Sequence, residues 1–64
     1  MKVRDVIKLL EANGWVIVRM KGHHRQYKHP VKTELVTVAG HLSDELHPKT
    51  LNSIFTQAGL TDSR

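Results

Sequence analysis

The chain reads as an α+β domain with the element order α-β-β-β-α: a three-stranded antiparallel sheet with two helices on one face. Three observations predict this. Apolar residues recur at helical spacing near both ends of the 64 residues. Between them lie three short runs rich in β-branched and aromatic residues. The connections between these runs are turns too short for a crossover, so the strands form an antiparallel meander.

The first helix is expected at about residues 2–13. Val3, Val6, Ile7 and Leu10 follow the i, i+3, i+4, i+7 rule, and Arg4, Asp5, Lys8 and Glu11 fall on the other side. Gly14 is a natural left-handed terminator for it. "WVIVRMK" is the first strand. "GHH" makes a turn centred on Gly22. "HRQYKH" is the second strand, stopped by Pro30. "VKTE" is a loop, and "ELVTVAG" a third short strand. After the loop "GHLSDEL", Pro48 suits the first turn of a helix, where its missing N–H is not needed. Leu51, Ile54, Phe55 and Ala58 repeat at helical spacing and Gly59 ends them, giving a second helix at 48–58. The whole chain, 1–64, is expected to form one domain. Its order is also that of a double-stranded RNA-binding domain, an analogy that does not establish function.

Composition narrows the function classes. There is no cysteine, so disulfides and thiolate metal sites are excluded. No apolar run approaches the ~20 residues that span a bilayer. "MKVRDVIKLL" is too short and too charged for a signal peptide, which leads us to expect a cytoplasmic protein. The formal net charge is +4 with all five histidines neutral, and it favours polyanions or acidic protein surfaces as partners. The charge is also uneven: Lys21, Arg25, Lys28 and Lys32 lie within one stretch that holds no acid.

The first ten residues of that stretch, "KGHHRQYKHP", carry three of the histidines. Side chains alternate along a strand, so His24, Gln26 and Lys28 share one face and His23, Arg25 and Tyr27 the other. Tyr27 is the large apolar side chain here, so its face meets the helices and His24 stands on the open face. A bulge between 23 and 27 would reverse this assignment. Histidine titrates near pH ~6.5 and can exchange a proton at neutral pH. Such a base can deprotonate an RNA 2′-hydroxyl, which then attacks the adjacent phosphate; the contribution is about 10²–10⁴-fold. Nearby Lys and Arg can stabilise the developing charge. The plainer alternative is an exposed histidine that touches phosphate or nothing. A metal site built from His23, His24, His29, His41 and His47 is disfavoured, because neighbouring strand residues point to opposite faces and no cysteine assists. Trp15, Tyr27, Leu51, Ile54 and Phe55 read as core residues, and Asp44 and Glu45 as part of a solvated loop.

Taken together, "GWVIVRMKGHHRQYKHP", "VTVAGH" and "LHPKTLNSIFTQAGL" resemble the HicA toxins, small mRNA interferases of toxin–antitoxin systems. The resemblance covers nearly the whole chain. It implies a double-stranded-RNA-binding-domain-like fold, mRNA cleavage without metal or cofactor, growth arrest, and neutralisation by a HicB-like antitoxin. The family's catalytic histidine lies two positions after the turn glycine, which is His24 here. Lys21, His23, Arg25 and Lys28 are the expected RNA-binding residues around it, and no metal ligand is expected. Two departures stand out. Gly22-His23-His24 replaces the usual Gly-Ser-His, and Ala39-Gly40-His41 lacks the usual proline. A non-catalytic RNA-binding domain is the alternative function. Duplex-binding domains place a lysine cluster at the start of the second helix. Here that position offers Lys49 beside His47, and the cations lie on the sheet instead.

Overall fold

A computed structural model describes residues 1–60; the last four residues of the expected 1–64 domain lie outside the described residues. The order is α1 (Val3–Ala12), β1 (Val16–Lys21), β2 (His24–Lys28), β3 (Val36–Ala39) and α2 (Pro48–Ala58). The strands form one antiparallel sheet in the order β1-β2-β3. The α-β-β-β-α expectation is met, and α2 has the expected bounds. The third strand is shorter than expected: Glu34 and Leu35 stay outside β3.

Each helix is tied at its ends. At the start of α1, the Asp5 carboxylate accepts from the Lys2 backbone N–H, 3.2 Å away. Val3 and Arg4 donate to the Asp44 and Leu42 carbonyls, so the loop before α2 satisfies N–H groups that a helix start leaves open. At its far end Gly14 takes φ +92°, and the Trp15 N–H returns to the Leu10 carbonyl at 3.0 Å. Helix α2 begins at His47, whose Nδ1 accepts from the Lys49 N–H at 3.1 Å, followed by Pro48. It ends at Gly59 (φ +70°), and Lys32 Nζ donates to the Ala58 carbonyl.

The core lies between the helices and one sheet face. Val3, Val6 and Leu10 of α1 and Ile54 and Ala58 of α2 meet Trp15, Tyr27, Val36 and Val38. These are the apolar periodicities of the sequence closing on each other. Trp15 and Tyr27 are the largest fully buried members, and rings of this size bury about 150–250 Å² each. The indole N–H of Trp15 is buried without a partner among the described residues. Its ring lies against His29, with centroids 5.2 Å apart.

Candidate functional site

Strand register decides which side chains share the open face. His24 pairs with Lys21 and with Ala39; Gln26 pairs with Arg19 and with Thr37. Paired residues stand on the same face of a sheet. The open face therefore carries Lys21, His24 and Ala39 in one row and Arg19, Gln26 and Thr37 in the next. Lys28 follows, paired with Val16. The helix face carries Ile17, Tyr27 and Val36, then Met20, Arg25 and Val38.

The burial of β2 follows this alternation: His24 and Lys28 are exposed, while Arg25 and Tyr27 are buried. The 23–27 segment holds no bulge. The irregularity lies in β1, where the pairing shifts by one residue between Ile17 and Arg19 and leaves Val18 unmatched. Arg19, Lys21, Gly22, His24, Gln26 and Thr37 line a depression of about 670 Å³ on the open face. No strand contributes an acidic side chain to it. Arg19 is a member that the sequence reading did not select, although counting two residues back from Lys21 reaches it.

The turn that carries His24 is a two-residue connection, Gly22-His23, between β1 and β2. Gly22 has φ +59°, the left-handed region that primed hairpin turns require at their first central position. His23 lies outside the open-face rows. Its ring packs against His41, with centroids 3.9 Å apart. The Gly40 N–H donates to the His23 carbonyl at 3.0 Å, so the turn and the end of β3 hold each other.

Arg25, expected among the RNA-binding residues for its charge and on the helix side by strand alternation, is 6% exposed and faces the helices. Its Nη1 donates to the Gly40 carbonyl at 2.8 Å and the His23 carbonyl at 3.3 Å. The guanidinium therefore braces the turn from beneath. On the open face its place as a second cation is taken by Arg19. Lys32, also in the basic stretch, caps α2 instead.

The remaining histidines have local tasks. His29 Nδ1 accepts from the Val31 and Lys32 N–H groups, and its Nε2 lies 3.1 Å from the Asn13 carbonyl. With Nδ1 accepting, Nε2 is left to donate to the Asn13 carbonyl. His47 caps α2. Among the described residues no group of three or more His, Asp or Glu is placed to hold a metal ion. His24 has no side-chain hydrogen bond to protein among the described residues, unlike His29 and His47. It is an exposed imidazole beside two cations, free to meet a ligand.

Tyr27, behind this face, has its phenol pKa raised from 10.0. Burial is the main cause, the Glu11 carboxylate adds to it, and Arg25 opposes it.

Comparison with known proteins gives the constellation a context. No curated protein matches the chain significantly. A solved structure described as "Toxin-Antitoxin complex from Streptococcus pneumoniae" contains a chain 34% identical, with a TM-score of 0.76. The match covers 94% of this chain and 98% of that one. A family model described as HicA toxin of bacterial toxin–antitoxin matches residues 3–60. That match runs from the first residue of α1 to the residue after Gly59, through every element that builds the open face, and so the chain belongs to the HicA toxin family.

Proposed function

We propose that this toxin is a metal-independent endoribonuclease that cleaves mRNA through His24, arrests growth, and is neutralised by a HicB-like antitoxin in the cytoplasm. One observation carries the reading. His24 alone among the five histidines stands in the cationic depression of the open face, free of protein hydrogen bonds among the described residues. Its imidazole takes the proton of a 2′-hydroxyl. The freed oxygen attacks the adjacent phosphorus, the bond from phosphorus to the 5′-oxygen breaks, and that oxygen takes a proton returned by the imidazolium or supplied by water. The products are a 2′,3′-cyclic phosphate and a 5′-hydroxyl. Because the nucleophile is part of the substrate, the route needs no metal-activated water. Lys21 and Arg19 flank His24 and offset the charge that develops on the phosphorane oxygens. Lys28 lies further along the same face as a phosphate contact. His23 borders the site at the turn.

The experiment is cleavage of a defined mRNA in EDTA by wild-type protein and by His24→Ala, with the product ends identified. Wild type should leave cyclic phosphates, and the variant should be about 10²–10⁴-fold slower while still folded. RNA retained by both proteins with no product would instead establish the non-catalytic RNA-binding function. Loss of activity in EDTA would remove the metal-independent mechanism.

A further inference from the structure

The two edges of the sheet are built differently. Strand β3 has four residues, and its Val36 and Val38 are buried under the helices. Strand β1 has six residues, all of them exposed. Four are apolar, from 42% exposed at Ile17 to 59% at Val16. Its inner side is occupied by β2; among the described residues no strand pairs with its outer side. Ile17 and Met20 point to the helix side of the sheet, yet they remain 42% and 56% exposed. A free edge of this length and polarity is a template for another strand.

The charges on this edge select the occupant. Arg19 and Lys21 sit on the open face of β1. In an antiparallel pair of two copies, these cations would lie opposite or diagonal to their own counterparts, a repulsive arrangement. A strand with carboxylates at alternate positions meets them favourably. Its intervening apolar residues then fall on the other face, over Ile17 and Met20.

We infer that β1 is a docking edge for an extended segment of an inhibitory partner protein, acidic on one face and apolar on the other, which joins the sheet as a fourth strand. Its acidic face lies along the rim of the His24 depression and competes there with the phosphates of RNA. Protein is favoured over RNA on this edge because backbone pairing and apolar cover at Val16, Ile17, Val18 and Met20 are features that a polynucleotide cannot supply. The inference rests on the antitoxin reading in calling the partner inhibitory, whereas the strand pairing itself can be tested without RNA.

The test uses the full chain and a synthetic peptide of about eight residues alternating Val and Glu, with a Val/Lys peptide as control. Amide hydrogen exchange and NMR shifts are followed at each backbone position. The Val/Glu peptide should slow exchange along Val16–Lys21, and the Val/Lys peptide should bind about tenfold more weakly. The double variant Arg19→Glu, Lys21→Glu should reverse that preference, and both changes fall on exposed side chains. Shifts confined to His24, Gln26 and Thr37 would mean that the peptide acts merely as a polyanion, overturning the inference. Concentration-dependent protection of β1 without peptide would assign the edge to a second copy and overturn it too. Failure of the ribonuclease reading shows separately, as absent cleavage by wild type.

Discussion

One histidine opens β2 and another follows its last residue, and they are used in opposite ways. At the turn end, His24 stands in a cationic depression and has no protein hydrogen bond among the described residues. At the loop end, His29 engages both ring nitrogens with backbone and lies against Trp15. One imidazole remains available for chemistry because the other residues around the turn, notably Arg25, hold the backbone that presents it. The other is consumed by architecture, joining the end of α1, the start of β1 and the loop after β2. Chemical availability, not residue type, separates the two.

The largest expected effect breaks the comparison at its functional end. His24→Ala should slow RNA cleavage about 10²–10⁴-fold with an unchanged melting temperature. His29→Ala should do the reverse. It removes three exposed hydrogen bonds and the contact with Trp15, so about 0.5–1.5 kcal/mol of stability is lost. In a thermal melt that is a few degrees or more, at about 4–8 °C per kcal/mol for a domain of this size. A His29 variant that melts like wild type would dissolve the distinction.

Between the two ends lies Tyr27, whose raised pKa predicts an alkaline limit. The folded state holds the phenol proton more tightly than the unfolded chain. Its contribution is therefore fully present below the unfolded value of 10.0 and is lost as pH rises through the higher folded value. Denaturant titrations above pH 10.0 should show a fall in stability that Tyr27→Phe reduces. The smallest effect concerns the helix cap: His47→Ala should cost about 1 kcal/mol, and His47→Ser should restore it.

Much of this was legible in the chain itself. Val3, Val6 and Leu10 announce α1, and Pro48 with Gly59 delimits α2, because helix periodicity and capping are local. The open-face position of His24 was legible because Tyr27, three residues away on the opposite face, anchors the alternation. The bulge at Val18 was not, since Val16–Lys21 alternates acceptably with or without it. Nor were the His23–His41 contact and the Arg25–Gly40 bond, which join residues distant in sequence. For Arg25, alternation placed the side chain on the helix side, where it is buried, while its guanidinium suggested phosphate. Arg19 was overlooked because it lies in a run dominated by apolar residues.

The cations at Arg19 and Lys21 also bear on how the isolated protein behaves in storage. Their mutual repulsion opposes pairing of β1 of one molecule with β1 of the next. At ~1 M salt the screening length falls to about 3 Å, and that repulsion fades while the apolar attraction of Val16, Val18 and Met20 persists. Light scattering across a salt series should then show association growing with ionic strength. The partner-free toxin would be best kept dilute and at low salt, where its own charge serves as its chaperone.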